Sequence, residues 1–198
     1  MRKMRNILKN RLALSTVITT LIILVVSVLL AGVVTYFAIN VVSTRVQQES
    51  LQVSNVHVWV DGAGTAEAAF VVTNTGGRDV VMSQIQVRGQ AATFGAAGNV
   101  YYAIKASTDV MPSTLPALAR SGTPLSLVGG LPFGTGGTAL ALSGTDLVLS
   151  SGGTMVIYIT SPDSVTINDV GLTIGINVFT AQAMYYQETN VQATTTGL

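Results

Sequence analysis

Hydrophobic and polar positions follow two regimes along this chain. From Leu12 to Thr44 there is no charged residue, and apolar side chains recur on every face that a helix would present. From Leu51 onward the period falls to two. Val56, Val58 and Val60 alternate with His57, Trp59 and Asp61, the pattern of a half-buried strand. The first regime predicts a helix that continues through Arg45, Gln47, Gln48 and Glu49 to about Gln52. Counted from Leu14 it has about 39 residues and a length of roughly 58 Å, against roughly 30 Å for a bilayer's hydrocarbon core. Its many β-branched residues, Val25, Val26, Val28, Val33 and Val34 among them, would weaken a helix in water. Away from water the backbone must satisfy itself, and a helix is the one solution available to a single segment. Ser27, Ala31 and Thr35 recur at four-residue spacing beside Gly32, which permits close approach of another helix.

The second regime predicts many short strands. Asp61–Gly64 reads as a turn. Glu67–Asn74 and Val80–Val87 read as two strands of a hairpin around Asn74-Thr75-Gly76-Gly77, where Asn and Gly tolerate positive φ. Further strands are expected at Val100–Ile104, Leu125–Val128, Ala139–Leu142, Asp146–Leu149, Met155–Ile159, Val165–Ile167, Leu172–Phe179 and Ala183–Glu188. Pro112, Pro116, Pro124 and Pro132, with the Gly129–Gly137 region, mark long irregular loops. The tail from Ala193 to Leu198 reads as frayed or as an extra edge strand. Frequent turns between short strands give the expected fold class: α+β, a long N-terminal hydrophobic helix followed by an all-β, immunoglobulin-like sandwich head.

Charge changes this picture at one end. Arg2, Lys3, Arg5, Lys9 and Arg11 precede the apolar stretch with no acid among them. The formal net charge of +1 comes from 10 basic and 9 acidic residues; without those five bases the remainder holds five against nine, a net of −4. Nothing basic is left to track phosphates, so nucleic acid is excluded as a partner. The basic end should stay in the cytoplasm, and the residues beyond Thr44 should be translocated. An apolar core this long exceeds that of an ordinary secretory signal. Only 10% of residues are charged, too few for a freely soluble surface, which implies burial against copies or partners. There is no cysteine, hence neither a disulfide nor a thiolate site.

Candidate chemistry is sparse. His57 is the only histidine and sits in a strand beside Trp59. Asp163 and Asp169 flank the expected strand Val165–Ile167 and are the one pair placed to share a loop cation, although turn carboxylates more commonly cap backbone amides. The Gly129–Gly137 region lacks the Lys-Ser/Thr of a phosphate loop. In each of the pairs Tyr101–Tyr102 and Tyr185–Tyr186, alternation puts one ring inside and one outside, the outer ones suited to contact between subunits or with a surface. No catalytic residues, metal ligands or cofactors are expected.

The junction Arg11-Leu12-Ala13-Leu14-Ser15-Thr16-Val17-Ile18 resembles the class III signal of archaeal type IV pilin-like proteins, in which a basic leader is removed ahead of the apolar helix after a small residue. The match implies cleavage after Ala13, with Leu14 as the new N-terminus. Arg11 stands two places before Ala13, so the bond after Arg11 is the other candidate. Ile18 occupies the fifth mature position, where bacterial type IV pilins carry Glu, so the resemblance is to the archaeal branch. Phe70–Gly77 resembles the first hairpin of archaeal pilin and archaellin heads. The resemblance implies three parts: a leader over 1–13, an assembly helix over 14–52 and a head over 53–198. Arg11, Ala13 and Leu14 would serve processing. Leu14, Val17, Leu21, Val28, Gly32, Tyr36 and Val42 would pack the filament core. It further implies a homopolymer at the cell surface, a precursor in the cytoplasmic membrane, and a prepilin peptidase, an assembly ATPase and a membrane platform as partners. Adhesion to surfaces or other cells is the expected role. The alternatives are an archaellin of a motility filament, an uncleaved membrane-anchored surface binding protein and, against the sparse chemistry, an enzyme with a signal anchor.

Overall fold

The computed structural model describes residues 11–121, 126–127, 140–195 and 197–198. The leader up to Asn10 and the whole Gly129–Gly137 loop lie outside the described residues, as do the ends of the strand expected at Leu125–Val128. The chain forms two compact units divided between Val46 and Gln47. It is an α+β fold: one long apolar helix, then a β-rich head.

Helix α1 spans Arg11–Gln47, 37 residues with no acid in the first turn. It stops five residues short of the expected Gln52, although Gln48 and Glu49 are good helix formers. The ladder of the head takes over instead. Leu51 already pairs with Asn74, and the Ser50 carbonyl accepts the amides of Thr75 and Gly76 at 2.9 and 3.1 Å.

The head contains β1 (Leu51–Val60), β2 (Ala66–Asn74), β3 (Val80–Val87), β4 (Gln90–Ala91), β5 (Val100–Ile104), β6 (Arg120–Ser121), β7 (Ser126–Leu127), β8 (Ala141–Leu142), β9 (Leu147–Leu149), β10 (Thr154–Thr160), β11 (Thr173–Thr180) and β12 (Met184–Ala193). Ten of them form one mixed sheet in the order β4-β3-β11-β12-β1-β2-β10-β5-β8, with β9 also on β3; β6 and β7 pair separately. Among the described residues all pairings are antiparallel except β1 with β12, which run parallel from Val58 opposite Val191 to Val60 opposite Ala193. That pair joins two antiparallel halves, and one hydrophobic core lies between them. Phe70, Ile157 and Ile159 from one half meet Met82, Ile85, Ile176 and Val178 from the other, all fully buried. Each such side chain contributes about 1.5–3 kcal/mol through removal from water.

The segment Asn74–Gly77 is not a hairpin turn. β2 and β3 exist with nearly the expected bounds but belong to opposite halves, so the chain arches across the core between them. The Asn74 side chain fixes the arch: its amide nitrogen donates to the carbonyls of Arg78 (2.8 Å) and Leu149 (3.1 Å), and its oxygen accepts the Gly76 amide at 2.9 Å. A genuine two-residue hairpin turn lies at Arg88-Gly89 between β3 and β4, with φ of 50° and 83°. The strand expected at Val165–Ile167 is absent; Ile167–Asp169 is a 3-10 turn.

The end of β1 is not half-buried as its alternation implied: Val58, Trp59 and Val60 are all buried, and so is nearly all of β2. Trp59, Val71, Tyr101 and Tyr158, on the face turned away from the main core, form a second core with Leu115 and Leu118 from the loop after β5. That loop is strapped down by polar contacts. The Leu118 amide donates to the fully buried Glu67 Oε1 (3.0 Å), and the Tyr158 hydroxyl donates to the Pro116 carbonyl (2.8 Å). Burial, and then the neighbouring Glu67 charge, push the Tyr158 hydroxyl well above its ordinary pKa, so it stays a donor. The tail is anchored rather than frayed. Thr194 donates to the Val60 carbonyl at 3.0 Å, and the Leu198 amide to Asp61 Oδ2 at 3.2 Å.

Candidate functional site

The residues expected to act together all lie on α1. On an α-helix, with about 100° between successive residues, Leu14, Val17, Leu21, Val28, Gly32, Tyr36 and Val42 fall within an arc of roughly 120°. Leu14, Val17, Leu21, Val28, Tyr36 and Val42 are each at least 60% exposed, and a Cβ placed on Gly32 meets nothing within 4 Å. The remaining faces are equally bare: Ile18, Ile22, Leu24, Leu29, Val33 and Phe37 are all exposed. No single stripe is therefore marked out, and the whole cylinder from Leu14 to Thr44, 31 residues, is apolar and long enough to cross a membrane. Arg11 and Ala13 lie in the first described turn of the same helix, so the backbone at the Ala13–Leu14 bond is helical.

Polar residues inside this cylinder turn their hydrogen-bonding groups inward to the helix backbone, a feature that the hydrophobic pattern did not disclose. Thr19 donates to the Ser15 carbonyl (2.9 Å), Thr20 to Val17 (2.9 Å), Ser27 to Ile23 (2.7 Å) and Thr35 to Ala31 (2.7 Å). Asn40 Nδ2 donates to Tyr36 (3.0 Å) and Thr44 to Asn40 (2.9 Å). A buried hydroxyl without a partner costs about 1–3 kcal/mol. These six donors meet that requirement locally, which lowers the cost of placing the helix in lipid or a protein core. The available signal was the type of polar residue: short hydroxyl side chains reach a carbonyl three or four residues back.

Among the described residues of the head, His57, Asp61 and Asp169 make structural contacts. His57 stacks on Trp59 with ring centroids 5.3 Å apart, and its Nε2 lies 3.0 Å from Asn55 Oδ1. Burial lowers its pKa, leaving it neutral near pH 7. Both carboxylate oxygens of Asp169 are engaged by protein groups. Its Oδ2 accepts from the Thr166 amide (2.8 Å) and hydroxyl (2.9 Å), and its Oδ1 pairs with Arg88 Nη1 at 2.7 Å. The Thr166 contacts lead, and Arg88 adds to them against a smaller opposing effect of burial, holding the Asp169 pKa below the usual range. Burial acts to raise the pKa of Asp61, but the amides of Thr65, Leu198, Ala63 and Gly64 outweigh it and the pKa is lowered. Among the described residues no three His, Asp or Glu side chains cluster as metal ligands would. Tyr101 is buried in the second core and Tyr102 packs on the first, so neither ring of that pair is free. In the other pair Tyr185 packs inward while Tyr186 is 54% exposed.

No protein-family model matches this chain, and no curated protein matches it in sequence.

Proposed function

We propose that the chain is a structural subunit of an extracellular, archaeal type IV pilus-like filament, serving adhesion. The observation that carries this reading is the 31-residue apolar cylinder, exposed on every face and joined to a head with its own closed core. Leu12–Thr44 contains nineteen Leu, Ile, Val and Phe residues. At about 0.3–0.6 kcal/mol each, they favour an apolar medium by on the order of 5–10 kcal/mol. Water is excluded as the helix's final environment, while lipid and a bundle of identical helices both satisfy it. In this reading the precursor sits in the cytoplasmic membrane with its N-terminus in the cytoplasm. A prepilin peptidase removes the leader at Ala13–Leu14, and an assembly ATPase with its membrane platform moves the helix into a homopolymer whose heads face outward.

The test is mass spectrometry of filaments sheared from cells. A mature N-terminus at Leu14, or at Leu12, supports processing and assembly. An intact leader on surface protein refutes the filament reading and leaves a membrane-anchored surface protein. Deleting the gene and scoring swimming against attachment separates the adhesive pilus from an archaellin.

A further inference from the structure

The apolar part of α1 is longer than a bilayer needs. Leu14–Thr44 covers 31 residues, roughly 46 Å at 1.5 Å per residue, against roughly 30 Å for the hydrocarbon core. The helix runs unbroken from Arg11 to Gln47 without a proline, so no sharp kink shortens it. Tilt does not absorb the excess either: at about 40°, the upper end of the usual range, the segment spans roughly 36 Å. Part of it therefore lies beyond the hydrocarbon, and the side chains say which part. Arg11 stands one turn before Leu14, and Arg2, Lys3, Arg5 and Lys9 precede it with no acid among them. Anionic headgroups attract such a cluster and hold that end at the bilayer surface. Counting about 20 residues from Leu14 ends the hydrocarbon near Val33, one turn before Tyr36. The composition changes at the same place. From Leu21 to Val34 the one polar side chain is Ser27, whose hydroxyl goes to the Ile23 carbonyl at 2.7 Å. From Thr35 to Thr44 half the residues are polar: Thr35, Tyr36, Asn40, Ser43 and Thr44. Asn40 Nδ2 donates to the Tyr36 carbonyl at 3.0 Å, but its Oδ1 has no hydrogen-bond partner among the described residues. Such an oxygen is costly in hydrocarbon and is satisfied by water.

We propose that in the membrane-held chain phospholipid tails cover α1 only from Leu14 to about Val34, with Tyr36 at the headgroups of the far leaflet and Ile39–Thr44 in contact with water. Tyr36 suits that level, since its ring is apolar and its hydroxyl polar, and it is 73% exposed in the chain by itself. Ile39, Val41 and Val42 are then apolar residues that lipid leaves uncovered. The consequence for assembly rests on the filament reading. Lipid and a bundle of identical helices serve Leu14–Val34 equally well, whereas Ile39, Val41 and Val42 are covered only in the bundle. The favourable change on leaving the membrane is thereby concentrated in the last turns of the apolar stretch.

The chain has no cysteine, so single cysteines report contact with water without interference. Leu24, Leu30, Ile39 and Val42 are matched sites, each 59–64% exposed in the chain by itself, and differences among them come from the surroundings. Full-length L24C, L30C, I39C and V42C are reconstituted into vesicles of dioleoyl phosphatidylcholine and dioleoyl phosphatidylglycerol. A charged maleimide is admitted to both faces by freeze–thaw, and labelling rates are measured. A charge at mid-bilayer is disfavoured by about a hundredfold, so I39C and V42C should react at least about tenfold faster than L24C and L30C. In vesicles of longer, 22-carbon chains the thicker core should slow I39C toward the rate of L30C. Slow labelling of I39C and V42C in the thinner bilayer would put the whole stretch in lipid, and fast labelling of L24C and L30C would take the helix out of it; either result overturns the proposal. So would an I39C rate unmoved by the thicker bilayer. None of these results bears on the mature N-terminus of sheared filaments, so the filament reading is judged separately.

Discussion

Placing an acid at Val28 asks directly whether α1 ends in a dry environment. Val28 lies mid-helix, roughly 21 Å along the axis from Leu14, and is 63% exposed in the chain by itself. No Lys, Arg or His occurs from Leu12 to Thr44, so in a bundle of identical helices Val28→Asp brings an unpaired carboxylate with every copy. An ionised Asp at the centre of an apolar span costs about 2.5–3.5 kcal/mol. Taking up a proton at pH 7 instead costs roughly 4 kcal/mol from an ordinary pKa of about 3.9. By either route the loss is a large part of the 5–10 kcal/mol estimated for the whole segment, and at 1.4 kcal/mol per decade it reduces assembly about a hundredfold or more. Val28→Thr is the matched control. Its hydroxyl can return to the Leu24 carbonyl as Thr35 does to Ala31, so the cost should stay within about 1 kcal/mol. The assay is immunoblotting of sheared filaments against the membrane fraction, with filament counts by electron microscopy. V28D should remain in the membrane fraction and V28T should assemble. Wild-type filament yield from V28D, or loss in V28T as complete as in V28D, would refute the argument.

Other consequences can be checked separately. Ala13→Leu should leave the leader attached, read as an increased mass of the membrane-held protein; normal processing would move the cut to the bond after Arg11. Gly76→Ala should destabilise the head by about 1–3 kcal/mol, because its Cβ would fall 2.8 Å from both the Gln48 carbonyl oxygen and the Ser50 nitrogen. Denaturant titration measures that loss. Glu67→Ala strips the Leu118 amide of its buried acceptor, a loss of about 1–3 kcal/mol, and should speed limited proteolysis within 105–119. Asp61 and Asp169 both have lowered pKa values, so the folded head binds fewer protons than the unfolded chain as these groups titrate. Their contribution is complete above the ordinary aspartate value of about 3.9 and is lost as pH falls through the lowered folded values. Thermal melts should hold steady from pH 7 to 5 and drop below pH 4, and Asp61→Asn should weaken that dependence.

The helix was legible because charge is absent over a long run, a signal that needs no neighbour to interpret. Most strands were legible from alternation, yet their partners were not. Asn74–Gly77 carries the residues of a hairpin turn, and only the apolar face of Val80, Met82, Ile85 and Val87 meeting Phe70 and Val72 across the core shows that the chain arches instead. The second core was hidden for a related reason. Alternation reports one covering layer, whereas Leu115 and Leu118 come from a proline-marked loop with no period of its own. The placement of Tyr186 was half visible. That one ring of Tyr185–Tyr186 points outward follows from alternation, but which one does, and its contact with Gly175, depend on a strand register that no local pattern encodes.

The parallel pairing of β1 with β12 also governs the timing of folding. The first strand of the head is flanked by β2 and by the last strand of the chain, so its second edge stays open until Met184–Ala193 has been synthesised and delivered. Contacts that close so long a loop form late and slowly. The head should therefore remain incomplete and pliable until β12 is available to pair. It locks when β12 docks beside β1.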